Sequence, residues 1–182
     1  SQLEIIENEA FSKSLIESFI VPSHLTKISS FAFGKCQQLK KVDVSANCEL
    51  ELIEKGAFYE SSIESLSILS EKVELENGWC METPNLTKII MSPKNSRYTY
   101  LDDKFVLGKS DPNINNYDVL IFARRDIEKA LIPSFIKIIG MYAFNSCKSL
   151  RNVEISIDSK LEIIDKCAFS GSPIESIMIP SS

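Results

Sequence analysis

The chain has 182 residues, 44% of them hydrophobic and 25% charged, with a net charge of −5 and a pI near 5.1. That balance suits one soluble globular unit or a stacked array of the same size, and it lacks the basic bias of a nucleic-acid binder. No apolar run approaches the ~20 residues of a membrane span, no signal-peptide pattern opens the chain, and five cysteines without CxxC spacing argue against a zinc site or a disulfide framework.

The first eleven residues, S-Q-L-E-I-I-E-N-E-A-F, return as C-E-L-E-L-I-E-K-G-A-F at 48–58 and as S-K-L-E-I-I-D-K-C-A-F at 159–169. The phenylalanine that closes each phrase is the anchor of a repeat: Phe11, Phe33, Phe58, Phe144 and Phe169. A further unit reads G-W-C at 78–80, with Trp79 in the Ala slot and Cys80 in the Phe slot. Five residues before each anchor stands Ile6, Ile28, Ile53, Leu75, Ile139 or Ile164. After it comes an apolar set spaced L-x-x-L-x-L: Ile16/Phe19/Val21, Leu39/Val42/Val44, Ile63/Leu66/Ile68, Leu86/Ile89/Met91, Leu150/Val153/Ile155 and Ile174/Ile177/Ile179.

The alternation at the end of each set predicts a strand with one buried face. The next copy arrives one repeat later in the same direction, so neighbouring strands are parallel and the intervening residues form a return wall. The expected fold is therefore an α/β-type repeat solenoid of one domain, with little helix, because a single coil cannot bury its own apolar face.

The repeat breaks at about 93–131. Two β-prone runs, Tyr98–Leu107 and Asp118–Ala123, flank a loop rich in Gly, Ser, Asp, Pro and Asn. This reads as a β-hairpin insertion with a long tip, built on a degenerate coil that keeps its last strand at Ala130–Ile132. The protruding segment offers Tyr98, Tyr100, Tyr117, Arg124 and Arg125 as contact residues, because loops on a rigid scaffold commonly carry function. The chain opens in mid-coil and stops on I-P-S-S at 179–182, a phrase that elsewhere begins a return wall. It therefore reads as a fragment of a longer array, whose exposed edges offer a route to end-to-end self-association.

Signatures of catalysis are missing. His24, the only histidine, falls in a turn after a strand, and no GxGxxG or GxxxxGK[ST] run occurs. D-P-N-I-N-N at 111–116 lacks the ligand spacing of a calcium loop. Cys36 and Cys147 both stand three residues after an anchor and read as small buried fillers of a turn, with free thiols expected throughout. N-L-T at 85–87 is a glycosylation sequon whose Leu86 should be core. No cofactor, metal or catalytic residue is expected.

The stretches I-V-P-S-H-L-T-K-I-S-S-F-A-F (20–33) and L-I-P-S-F-I-K-I-I-G-M-Y-A-F-N-S-C-K-S-L (131–150) resemble the repeat of the BspA-like, or treponemal-type, leucine-rich repeat proteins. The resemblance covers nearly the whole chain and departs at Trp79–Cys80 and in the insertion. It implies a right-handed leucine-rich superhelix with its parallel sheet on the concave face. It also implies a non-enzymatic, cell-surface or secreted module that adheres to host cells, extracellular matrix or a surface glycoprotein. An intracellular leucine-rich repeat scaffold is the alternative.

On that concave face the outward columns supply the candidate binding residues: Glu17, Lys40, Glu64 and Arg151 in the first; Lys41 and Lys88 in the second; Ile20, Asp43, Ile90, Glu154 and Met178 in the third.

Overall fold

The computed structural model describes residues 2–180, so the last two residues of the closing I-P-S-S phrase lie outside it. Sixteen strands and no helix form among the described residues, and they fall into two compact units, 1–97 and 98–182.

The first unit alternates short and long strands in four coils: β1 (Ile5–Ile6), β2 (Ser18–Val21), β3 (Lys27–Ile28), β4 (Lys41–Val44), β5 (Leu52–Ile53), β6 (Ser65–Ile68), β7 (Glu74–Leu75) and β8 (Lys88–Met91). The long strands make one parallel sheet in the order β2-β4-β6-β8, and the short ones a second, β1-β3-β5-β7. Register is that of the repeat: Phe19 pairs Val42, Val42 pairs Leu66, and Leu66 pairs Ile89. Ile28, Ile53, Leu39, Val42, Leu66 and Leu86 are wholly buried.

Between the two sheets the anchors stack. The Phe11 and Phe33 rings lie 5.2 Å apart and nearly parallel, and Phe33 and Phe58 5.6 Å apart at 13°. The Trp79 ring closes the file edge-on at 6.2 Å from Phe58. Trp79 does hold the Ala slot in backbone terms, because its carbonyl accepts the Phe58 N–H as Ala57 accepts that of Phe33, yet its ring reaches the aromatic column.

The return wall contains a feature that the sequence pattern does not announce. Two residues before and two after each anchor, the backbone is left-handed: Glu9, Phe31, Gly56, Gly78, Tyr142 and Cys167 precede, and Lys13, Lys35, Glu60, Glu82, Ser146 and Gly171 follow, with φ between 52° and 80°. Only three of these twelve are glycine, so most carry a cost of roughly 1–2 kcal/mol each. The hydrogen bonds explain why it is tolerated. In the first coil Ala10, Ser12 and Ser14 donate within the coil, to Glu7, Glu9 and Phe11, while Glu9, Phe11 and Lys13 donate to Ser30, Ala32 and Gly34 of the next. The left-handed residues turn alternate amides toward the neighbouring coil, so amides of the turn that would otherwise be buried without partners are paired.

Gly56 occupies such a site at φ +69, and a Cβ there would lie 2.9 Å from Phe31 Cε1. Gly56→Ala should therefore cost about 1–3 kcal/mol, whereas Glu60→Gly, which relieves a left-handed glutamate, should be neutral or gain up to about 1 kcal/mol in urea denaturation.

The second unit holds β9 (Thr99–Leu101), β10 (Phe105–Gly108), β11 (Val119–Ala123), β12 (Lys129–Ile132), β13 (Ile138–Ile139), β14 (Asn152–Ile155), β15 (Ile163–Ile164) and β16 (Ser176–Met178). Its long-strand sheet runs β12-β14-β16, all parallel, and confirms the expected strand at Ala130–Ile132. Its other sheet, β15-β13-β11-β10-β9, absorbs the insertion.

The expected hairpin with a long tip is present, because β10 and β11 pair antiparallel across the polar loop, but its first run is two strands rather than one. The run Tyr98–Leu107 folds back on itself as β9 and β10, turning through Asp102 and Asp103 at φ 50° and 53°, and the polar loop then links β10 to β11. Paired positive φ values suit the twist of a tight hairpin. β11 pairs antiparallel with β10 and parallel with β13, Leu120 standing beside Ile139, so β11 is the return wall of the degenerate coil. It stays extended where other coils turn, and Ala123 rather than a phenylalanine donates to the next coil at Ala143. The missing ring comes from the neighbouring strand: Phe105, paired with Ala123, stands 6.0 Å from Phe144, which stacks on Phe169 at 4.8 Å.

Candidate protein-binding surface

Along the long strands, residues two apart share a face. In the first unit the inward face is the core, and the outward face carries two registered columns, Ser18-Lys41-Ser65-Lys88 and Ile20-Asp43-Ser67-Ile90. Ile20 is 75% exposed and Ile90 41%, while Ser67 between them is nearly covered. Lys41 Nζ meets Asp43 Oδ2 at 2.7 Å on the same strand, and Lys40 Nζ bridges to Glu64 Oε1 at 2.8 Å on the next coil. Glu17 is exposed at the head of that first column, and its carbonyl accepts the Lys40 N–H. Lys88 is exposed as well. The bridged pairs are open to solvent and contribute at most about 1 kcal/mol each to stability.

In the second unit the columns are Lys129-Asn152-Ser176 and Leu131-Glu154-Met178. Leu131 is 60% exposed and Met178 54%, flanking exposed Glu154. Arg151 Nε reaches Glu175 Oε1 at 3.4 Å and its Nη1 donates to the Lys148 carbonyl at 3.0 Å. Leu131 and Lys129 were missed by the sequence reading. Ile127, Ala130 and Ile132 keep the L-x-x-L-x-L spacing, but alanine in a leucine slot hid the rung.

The insertion residues separate by environment. Arg124 is clamped between Asp126 (Nη2–Oδ2, 2.7 Å) and Asp103 (Nη1–Oδ2, 3.1 Å), locking the β9–β10 turn to the end of β11. The Asp126 contact raises Arg124 and lowers Asp126, so both stay charged. Tyr98 and Tyr117 are half-buried, and the Lys109 ammonium sits 5.1 Å over the Tyr117 ring. Tyr100 is half-buried too, its hydroxyl lies inside, and burial pushes its pKa up to about 12. Arg125 is corrected as a contact residue: at 1% exposure it is internal, its guanidinium lying 4.5 Å over the Phe122 ring and donating from Nη1 to the Ala143 carbonyl at 2.9 Å.

The remaining polar chemistry serves the stack. Lys27 bonds Glu54 at 2.7 Å and holds its carboxyl below the usual range, with help from the Ser30 N–H and hydroxyl. Burial works to raise Asp118, but hydrogen bonds from the Ser110 amide (2.8 Å) and hydroxyl (2.7 Å) outweigh it and leave the carboxyl depressed. His24 Nδ1 lies 3.4 Å from Glu49 Oε2, both side chains largely exposed.

The cysteine column is more than a filler. Three residues after the anchors stand Ser14, Cys36, Ser61, Thr83, Cys147 and Ser172. Cys36 donates to the Phe11 carbonyl at 3.0 Å, Thr83 to Cys80 at 2.6 Å and Ser172 to Phe144 at 2.5 Å. At these three positions a thiol or hydroxyl serves as donor, whereas the buried Ser61 hydroxyl of the same column has no partner. Burial pushes the thiols of Cys48 and Cys147 up, the reverse of what a nucleophile needs. Among the described residues no three His, Cys, Asp or Glu side chains are grouped to hold a metal, and no helix is long and apolar enough to cross a membrane.

Comparison with known proteins agrees with this geometry. The model of the BspA type leucine-rich repeat region matches residues 4–105 and 110–182, in six copies. Among solved structures, the chain is similar to the pneumococcal vaccine antigen PcpA, with 29% identity and a TM-score of 0.85 over 99% of this chain and 43% of that one. It is similar in fold to a leucine-rich repeat protein from Eubacterium ventriosum, with 22% identity and a TM-score of 0.71 over 94% of this chain and 50% of that one. A leucine rich cell surface protein from Faecalibacterium prausnitzii shares 20% identity and a TM-score of 0.70 over 91% of this chain and 52% of that one. The chain thus spans about half, or less, of the length of the structures it matches. No curated protein sequence matches it. With six copies of the repeat model laid over almost every residue, the chain belongs to the BspA-type leucine-rich repeat family.

Proposed function

We propose that the chain is a non-enzymatic, protein-binding module of a cell-surface leucine-rich repeat protein, adhering to host cells, extracellular matrix or a surface glycoprotein through the outward faces of its long strands. The observation that carries this reading is the set of registered outward columns in each unit, which mix charged residues with exposed aliphatic ones, Ile20 and Ile90 on the long-strand sheet of the first unit and Leu131 and Met178 on that of the second. Exposed aliphatic side chains ringed by charge suit a partner that buries them and satisfies the rim. The bacterial surface protein among the structural neighbours supports the location, and the fold supports the mode. In the first unit Glu17, Lys40, Lys41, Asp43, Glu64 and Lys88 form the polar part of the contact face; in the second Arg151 and Glu154 do, with Tyr98, Tyr117 and Arg124 on the insertion as secondary contacts.

The test is binding of purified protein to immobilised matrix proteins and to epithelial cells, with an unrelated solenoid as control. Single-module affinity should be modest and rise steeply when the module is displayed in many copies. Leu131→Glu with Met178→Glu should weaken binding at least about tenfold, or ~1.4 kcal/mol, without loss of fold. Binding no better than the control solenoid, or untouched by substitutions on either long-strand face, would remove the proposal. An intracellular interaction scaffold is the second reading, and the five cysteines, none in a disulfide, are the observation in its favour. Labelling of intact cells decides between the two.

A further inference from the structure

The chain contains a single Asn-Gly pair, Asn77–Gly78, in the return wall of the fourth coil. Asn77 is exposed, whereas Gly78 is buried in the closed turn and has no side chain to hinder its backbone nitrogen once the turn opens. The Trp79 N–H donates to the Glu76 carbonyl at 3.0 Å, closing a four-residue turn in which Gly78 has φ +80 and Asn77 is not left-handed. That is the signature of a type II turn, which places the Gly78 nitrogen on the far side of the Cα–C bond from the Asn77 side chain. The turn is tied down from outside as well: the Gly56 N–H donates to the Gly78 carbonyl at 2.9 Å, the Phe58 N–H to Trp79 at 3.3 Å, and the Lys55 N–H to Glu76 Oε2 at 2.8 Å.

We propose that Asn77 is a site of spontaneous covalent modification gated by opening of this turn. The Gly78 amide nitrogen attacks Asn77 Cγ, its proton leaves with the side-chain nitrogen as ammonia, and a five-membered succinimide forms. Water then opens either imide carbonyl, giving aspartate or, with the backbone rerouted through the β-carboxyl, isoaspartate. No oxidant, metal or enzyme is needed. In the closed turn the nucleophile faces the wrong way, so the rate reports how often the fourth coil loosens.

The isoaspartate product inserts one methylene into a chain whose spacing must match the coil beside it. Gly78 and Trp79 carbonyls can no longer both meet the Gly56 and Phe58 amides, and Trp79, which closes the aromatic file, loses its fixed seat. Modification therefore acts on the fold: it converts a transient opening into a permanent one.

Purified protein would be held at mildly alkaline pH and 37 °C, folded or in urea, then digested, with the peptide containing Asn77 followed by mass spectrometry and by isoaspartyl methyltransferase labelling. The peptide should convert at least about tenfold faster in urea than in the folded protein, as expected when reaction requires opening. Aged folded protein should melt in two populations, the lower one growing with the isoaspartate signal, while Asn77→Gln should remain one population throughout. Equal rates with and without urea would overturn the gating. A modified protein that melts with the fresh one would overturn the structural consequence.

Discussion

Truncation of Phe58 to alanine is expected to remove about 3–5 kcal/mol of stability, read as a fall in the urea midpoint. The ring is wholly buried and lies between Phe33 at 5.6 Å and Trp79 at 6.2 Å, so no solvent or mobile segment can collapse into the space it leaves. Burial supplies roughly 1.5–3 kcal/mol of this, and the cavity and the two lost ring contacts supply the rest. Phe169→Ala removes the same side chain from a half-buried site with one ring neighbour, Phe144 at 4.8 Å, and should cost less than half as much. Equal losses at both positions would mean that burial and ring neighbours do not set the cost. Because coils interact with their neighbours only, the Phe58 variant should also unfold with a lower m-value, the first unit's coils separating from the rest of the transition.

Replacing Arg125 with alanine should cost about 2–5 kcal/mol by the same measurement, since it opens a cavity the size of a long side chain within the core of the second unit. Arg125→Met should restore most of that loss and could exceed wild type, because filling the space without burying a charge is commonly neutral or better. The Ala143 carbonyl would remain bonded to the Ala123 N–H at 2.9 Å, so methionine leaves no orphaned acceptor there. A methionine variant as damaged as the alanine variant would show that the guanidinium's hydrogen bonds, not its volume, hold the degenerate coil together.

The parts of this structure that could be read from the sequence are those where a side chain must meet its own copy one coil away. Ile28, Ile53, Phe33, Phe58, Val42 and Leu66 were legible because burial on a shared face fixes residue type at a fixed spacing. The backbone of the return wall was not. Glu9, Lys13, Lys35 and Ser146 adopt left-handed φ because neighbouring coils demand their amides, and nothing local to these residues favours it. The insertion was half legible. Its strands announced themselves by composition, but Phe105, which supplies the missing ring of the degenerate coil from an adjacent strand, stands outside the repeat spacing. Arg125 was misjudged because a charged residue in a loop-rich segment is usually solvated, whereas the flat face of Phe122 and a carbonyl let this one go inside. On the outward face, the columns followed directly from strand register, and Leu131 was lost only where alanine broke the core pattern beside it.

The ladder of alternate amides that joins one coil to the next has a mechanical corollary. The backbone bonds that join one coil to the next run parallel to the stack, while the covalent chain winds across them. Tension applied between the two termini of such a unit loads one coil at a time rather than shearing a whole sheet. Each coil that peels away would pay out roughly 70–90 Å of slack, taking about 3.3–3.6 Å per residue over one repeat. A module of this kind would lengthen stepwise under load and rewind when the pull relaxes, behaving as a ratcheting tether instead of a brittle hook.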